Sequence, residues 1–218
     1  MKVLIPKIKT FFMQTLAIHN INPEENKIKT AAQILMSNGI IIVPTDTNYA
    51  IVCLLGNKNG IEKICRIVGK KPEKANLSIL CQNLKFISDF TLQFSKSTYK
   101  MLNKNLPGPF TFILNANNKV PKLFLNKKKT IGIRVPDNNI LCKIIDFVGE
   151  PLVCSSIHIE QEEDEAIAFQ IPEIEKQFQK NVDLIIDGGN CPNQGSAVVD
   201  CTGDEPMIIR EGYMPLKD

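Results

Sequence analysis

The sequence predicts an α/β domain built on a mixed sheet, and three observations carry that expectation. Short runs of β-formers alternate with segments of helical period along the 218 residues. A hydrophobic content of 44% supplies one substantial core. No Pro/Gly/Ser-rich linker divides the chain, so a single domain over residues 1–218 is expected.

The elements follow in order. The N-terminal MKVLIPKIKTFF has neither the hydrophobic block nor the small-residue cleavage site of a signal peptide, and no apolar run reaches the length of a membrane span. A cytoplasmic protein with no membrane partner is the expectation. Asn22, Pro23, Glu24 and Glu25 read as a helix start: a cap, a first-turn proline and acids suited to the positive end of the helix dipole. That helix runs to about Ser37, burying Ile28, Ala31, Ala32, Leu35 and Met36, and stops at Asn38-Gly39. Ile40 to Val43 is a strand buried on both faces, and Pro44 ends it because proline cannot donate to the sheet ladder.

Apolar character resumes over Ala50 to Leu55, followed by a helix around Gly60 to Ile67, a loop from Gly69 to Asn76 and a strand from Leu77 to Cys81. Ser95 to Leu106 is helical, Leu106-Pro107-Gly108-Pro109 breaks it, and Phe110 to Leu114 is a strand. Further strands are expected at Thr130–Val135, Leu152–Ser155, Val182–Ile186, Ala197–Cys201 and Met207–Arg210. Helices are expected through Cys142 to Val148 and over Pro172 to Lys180.

The net charge is only +3, but residues 1–150 hold 22 Lys+Arg against 9 Asp+Glu, whereas residues 151–218 hold 4 against 14. The long basic portion either presents a positive field to an anionic partner such as nucleotide or RNA, or keeps the surface solvated. Lys127, Lys128 and Lys129, and the acidic run Glu160 to Glu165, read most simply as exposed. Seven cysteines, an odd number without a Cys-x-x-Cys pair, fit reduced thiols in a core rather than a disulfide framework or a zinc site.

Four places carry chemistry. Thr45, Asp46, Thr47, Asn48 and Tyr49 crowd hydrogen-bonding groups at the exit of a buried strand, either as a binding site at the sheet edge or as a turn held by its own side chains. The loop Gly69 to Lys74 bears Lys70, Lys71 and Lys74 and can close ammoniums over phosphates, although it is not a P-loop. Arg134 is a lone arginine in the apolar strand IGIRV, so it pairs with an internal carboxylate or faces an anionic ligand. Ser155, Ser156 and His158 follow a strand end, where they suit phosphate oxygens better than a nucleophile–base pair, since no Gly-x-Ser-x-Gly elbow accompanies them.

PTDTNY after the buried strand, LPGPFTFIL, TIGIRVP, the EPLVCSS strand and the closing DGG, SAVVD and IIREG occur in one order, from about Ile34 to Gly212. In that order they resemble the YrdC/YciO family. CRI at Cys65 to Ile67, FTFIL and KKKTIGIRVP look most like its YciO branch. The resemblance implies a twisted mixed sheet flanked by helices around a large basic cavity. It also implies relation to L-threonylcarbamoyladenylate synthases, which join threonine and bicarbonate into a carbamate that attacks the α-phosphate of ATP, for tRNA modification. Double-stranded RNA binding is also described for members.

Carried over by motif, the resemblance places Pro44 to Thr47 and Tyr49 in a turn that helps hold threonine and nucleotide. Arg134 matches the arginine of the Arg-Val-Pro strand, Ser155 and Ser156 the nucleotide-binding strand end, Ser196 the first residue of a Ser-Thr pair, and Arg210 a late Arg-x-Gly. Three positions depart from the enzymes. Val68-Gly69-Lys70 or Gly69-Lys70-Lys71 stands where they have Lys-x-Arg, Ser156-Ile157-His158 where they have Ser-x-Asn, and Ser196-Ala197 where they have Ser-Thr. Lysine lacks arginine's bidentate fork, and a histidine beside phosphates makes nucleotide affinity rise as pH falls through the mid-sixes.

Two functions stay open. One is an enzyme using ATP, with Mg²⁺ on the leaving pyrophosphate, in which Lys70, Lys71 and Arg134 act on the reacting groups. Thr45, Thr47, Tyr49, Lys74, Ser155, Ser156, His158, Ser196 and Arg210 then bind nucleotide and amino acid. The other is a module that binds RNA or nucleotide without turnover, reading backbone and shape, since three tyrosines and no tryptophan offer little base stacking.

Overall fold

A computed structural model describes residues 14–122, 129–157, 171–192 and 194–217. Among them one ten-stranded sheet runs in the order β1-β8-β2-β3-β7-β4-β6-β5-β9-β10. The strands are β1 (Gln14–Ala17), β2 (Ile41–Val43), β3 (Ala50–Leu54), β4 (Ser78–Leu80), β5 (Phe110–Asn115), β6 (Thr130–Arg134), β7 (Leu152–Ser156), β8 (Leu184–Asp187), β9 (Ala197–Asp200) and β10 (Met207–Arg210). The helices are α1 (Glu25–Met36), α2 (Lys58–Ile67), α3 (Leu84–Phe90), α4 (Lys96–Asn105), α5 (Asn139–Val148) and α6 (Ile171–Phe178). The sheet is mixed as expected: β2 runs parallel to β8 and antiparallel to β3, and β4 runs parallel to β6 and antiparallel to β7.

The two faces of the sheet are finished differently. On one, Ile42, Ile51, Ile79, Val153, Ile133, Phe112 and Val199 pack beneath Ile61 and Ile64 of α2, Ile87 of α3, Leu102 of α4 and Ile174 and Phe178 of α6. That face is covered from β2 to β9. On the other, Ile41, Val43, Val52, Leu152, Leu184 and Ile186 meet Ile28, Ala31 and Leu35 of α1 and Ile140, Ile144 and Ile145 of α5. These two helices cover only the half built from β8, β2, β3 and β7. The remaining half carries the cavity described below.

Local chemistry sets most boundaries. Asn57, Ser95 and Asn138 cap α2, α4 and α5 by accepting from Gly60, Thr98 and Leu141 backbone N–H groups. Gly149, at φ 72°, closes α5 in the left-handed conformation. Helix α1 starts later than the sequence suggests. Its cap position is Glu24, not Asn22; the Glu24 carboxylate accepts from the His19 N–H and pairs with Lys27, which holds its pKa down to about 2. Asn38, at φ 65°, makes the turn beyond its last residue, and the Gly39 N–H reaches back to the Ile34 carbonyl at 2.8 Å.

Met36, expected in the core, is 57% exposed, because the α1 stripe that meets α5 ends with Leu35. Strand β1 and helix α3 are additions to the sequence reading. Four residues of β1 acquire strand character from parallel pairing with β8, more than 160 positions away, and α3 is too short to show a helical period. All seven cysteines are free thiols, six of them buried.

Candidate functional site

Four neighbouring strands contribute one cross-strand row. Cys154 of β7 pairs with Ser78 of β4, which pairs with Gly132 of β6, which pairs with Ile113 of β5. These residues form the floor of a cavity of about 450 Å³, within the range of small-molecule sites. Alternation explains the choice: Thr130, Gly132 and Arg134 of β6 line the cavity, while Ile131 and Ile133 point into the core on the other face. Gly132 keeps the floor low. A Cβ there would stand 2.8 Å from Ser78 Oγ and 3.0 Å from Thr111 Cγ2. The segment containing Lys70, Pro72, Ala75 and Asn76 forms one wall, and Ser196, Ile209 and Arg210 form the opposite rim.

One end is organised by Arg134. Its guanidinium pairs with Asp46 through Nη2, and its Nη1 donates to Thr47 Oγ1 at 2.9 Å. Arg134 has an internal carboxylate partner, one of the two alternatives raised by the sequence, and it also lines the cavity. The pair is nearly dry, with each side chain 7% exposed. Among the described residues Arg134 Nε and Asp46 Oδ2 have no hydrogen-bond partner. A buried arginine N–H without an acceptor is costly, and an anion in the cavity would supply one.

The Asp46 turn is held from several sides. Thr45 Oγ1 donates to the Asn48 carbonyl at 2.6 Å and accepts from the Thr47 N–H at 3.0 Å. Tyr213 donates to the Asp46 carbonyl at 3.0 Å from the C-terminal segment. Tyr49 does not reach the cavity. It is fully buried, its hydroxyl donates to the Gly189 carbonyl at 2.7 Å and accepts from the Gly188 N–H at 3.2 Å, and burial raises its pKa.

The other end is organised by Arg210. Its Nε and Nη2 donate to the Ser196 carbonyl at 3.1 and 2.8 Å, and Ser196 Oγ lies 3.0 Å from Thr111 Oγ1. The guanidinium is thus oriented at an exposed rim. Between the ends, Ser155 and Ser156 line the cavity, and Cys154 presents a thiol that burial pushes up to about 11 while Arg134 pulls it down. That thiol is neutral near pH 7, so the floor offers no thiolate nucleophile.

Of the residues singled out by sequence, Lys70, Arg134, Ser155, Ser156, Ser196 and Arg210 meet at one cavity. Thr47 touches it through Arg134, whereas Thr45 borders a smaller polar pocket of about 220 Å³ on the far side of the turn, with Asp46, Asp137 and Asn138. Lys71 and Lys74 are exposed on the 3-10 turn around Pro72–Lys74 and do not line the wall. His158, Lys127, Lys128 and the run Glu160 to Glu165 lie outside the described residues. Sequence reasoning missed Asp46 as the partner of Arg134, and Ser78, Thr111 and Gly132 as floor. A hydroxyl within FTFIL and a glycine within TIGIR carried the same signal as the lone arginine.

The profile of the Sua5/YciO/YrdC family, described as "Telomere recombination", matches residues 33–212. The chain belongs to the Sua5/YciO/YrdC family. Within that family it is 35% identical over 205 residues to YciO of Escherichia coli K12, covering 94% of this chain and 98% of the relative. The crystal structure of E. coli YciO superposes with a TM-score of 0.86 over the same shares of the two chains. A putative threonylcarbamoyl-AMP synthase of Methanocaldococcus jannaschii is 30% identical over 205 residues, 93% of this chain and 94% of that one. Sua5 of Pyrococcus abyssi, crystallised with L-threonine, shares the fold at a TM-score of 0.81 and 21% identity, over 94% of this chain and 59% of its own. The twisted mixed sheet flanked by helices is accordingly the family fold.

Proposed function

We propose that the cavity binds ATP, threonine and bicarbonate and forms threonylcarbamoyl-AMP. The observation that carries this reading is the wall itself. Lys70, Arg134 and Arg210 converge with the hydroxyls of Ser78, Thr111, Thr130, Ser155, Ser156 and Ser196, and no carboxylate is among the described lining residues. Such a wall favours a polyanion. The 30% identity to a putative synthase supports the choice of reaction within the family.

In this reading the threonine amine adds to bicarbonate with loss of water. A carbamate oxygen then bonds to the α-phosphorus of ATP as the bond to pyrophosphate breaks. The protein contributes alignment and charge neutralisation. Arg134 and Thr47, with the turn held by Thr45, orient the amino acid; Lys70, Ser155 and Ser156 contact the phosphates, and Ser196 with Arg210 closes the far rim. Lys71 and Lys74 reach the triphosphate when the loop swings inward. Mg²⁺ enters as part of the substrate, on the triphosphate oxygens.

Pyrophosphate release measures the reaction. It should require ATP, threonine and bicarbonate together. Calorimetric binding of ATP without pyrophosphate release in the full mixture would replace the synthase with a nucleotide-binding module, for which structured RNA is then the ligand to titrate.

A further inference from the structure

Two residues grip Arg134, Asp46 through Nη2 and Thr47 through Nη1, and a single peptide unit joins them. That unit is tied at both ends. Its N–H, from Thr47, donates to Thr45 Oγ1 at 3.0 Å, and its C=O, from Asp46, accepts from the Tyr213 hydroxyl at 3.0 Å. The first tie is local to the turn, whereas the second arrives from 167 positions away.

Tyr213 is itself held in place. On its N-terminal side Arg210 Nε and Nη2 donate to the Ser196 carbonyl, and Gly212 lies so close to Ala197 that a Cβ on it would run into the Ala197 backbone nitrogen. On its C-terminal side the amide of the buried Asn105 donates to the Lys217 carbonyl and accepts from the Lys217 N–H, each at 2.9 Å. Met214 and Leu216 pack against the core between these anchors. The phenol is therefore delivered by a segment fixed on both sides. Burial, and then the Asp46 carboxylate, raise its pKa while Arg134 pulls the other way, so the hydroxyl keeps its proton and remains a donor at neutral pH. Tyr213 is 40% exposed and does not line the cavity, so its hydroxyl serves the turn rather than a ligand.

We propose that Tyr213 is a positioning residue: its hydroxyl locks the Asp46–Thr47 peptide, and through that peptide it aims the Arg134 guanidinium into the cavity. The inference rests on the reading of Arg134 as the group that orients the amino acid. A planar peptide unit pivots as one body about the Cα atoms on either side, so freeing its C=O turns the Asp46 and Thr47 side chains together. Both hydrogen bonds to Arg134 then lose alignment, and Nε, the guanidinium donor without a partner among the described residues, is misaimed with them. Only Glu211 and Gly212 separate Tyr213 from Arg210, so one short segment sets both ends of the cavity.

The chain has three arginines, Arg66, Arg134 and Arg210, so heteronuclear NMR of the guanidinium Nε–H groups gives three signals, and Arg134→Lys identifies the one that matters. In Tyr213→Phe the Arg134 signal should shift and exchange with water about tenfold faster, while the Arg66 signal stays in place. In pyrophosphate release the same variant should raise the KM for threonine about fivefold, as loss of one neutral hydrogen bond does, and leave the KM for ATP unchanged. An Arg134 signal that does not move, a signal that moves with no change in the threonine KM, or an equal rise in both KM values would each overturn the proposal. If the wild type releases no pyrophosphate, the synthase reading falls, and the NMR comparison alone decides whether Tyr213 positions Arg134.

Discussion

The two halves of one sheet face are built from the same strand chemistry and finished in opposite ways. Over β8, β2, β3 and β7, α1 and α5 seat Leu35, Ile140 and Ile144 directly on Ile41, Val52 and Leu184. Over β4, β6, β5 and β9 the face carries Ser78, Gly132, Arg134, Thr111 and Val198, and those side chains line the cavity. The difference teaches that where a strand's outward positions turn to hydroxyl, glycine or arginine, the sheet lines a cavity rather than seating a helix. Stability should therefore reside in the first half and affinity in the second.

The largest expected effect falls where both halves meet. Arg134→Met leaves Asp46 as a buried carboxylate without its cation and should cost about 3–5 kcal/mol of stability, read from chemical denaturation. Nucleotide binding, followed by calorimetry, should be lost as well. A substitution that destabilises without touching affinity would confine Arg134 to the structural role.

Within the covered half, Leu35→Ala removes a fully buried side chain between α1 and the sheet and should cost about 2–5 kcal/mol, again by denaturation. Nucleotide affinity of the folded fraction should not move. A large loss of affinity there would mean that the two halves are not separable.

Smaller effects belong to the open half. Lys70→Ala combined with Lys71→Ala should leave the denaturation midpoint nearly unchanged, because Lys71 is exposed and Lys70 sits on the cavity wall. It should weaken ATP binding by about tenfold, as loss of charge-assisted phosphate contacts does. Unchanged affinity would remove the loop from the site.

The smallest effect is expected at Cys154. Burial pushes its thiol up to about 11, so the native protein keeps the proton bound between pH 7 and 9. The sign follows directly: a folded-state pKa above the unfolded value near 9.0 favours the native state below pH 9 and loses that advantage as pH rises toward 11. ATP affinity of the wild type and of Cys154→Ala should therefore show the same dependence between pH 7 and 9 by calorimetry. A difference between the two profiles would mean that the thiol ionises on the cavity floor.

The sequence by itself determined the mixed α/β class, most of the strands and the residue types of the site. It did so because periodicity, turn chemistry and a polar residue inside an apolar strand are local signals. The lone arginine in IGIRV announced that an anion must lie nearby. Tertiary structure decided which anion. Asp46 and Arg134 are 88 positions apart and meet only because β2 and β6 belong to one sheet. Tyr49 and Thr47 look equivalent in PTDTNY, yet a two-residue step separates a hydroxyl on Arg134 from a phenol buried against Gly188 and Gly189. Strand β1 exists through its partner β8, and Met36 is exposed because α1's contact with α5 ends with Leu35. Pairing and packing between distant segments set these outcomes, and no local window of sequence contains them.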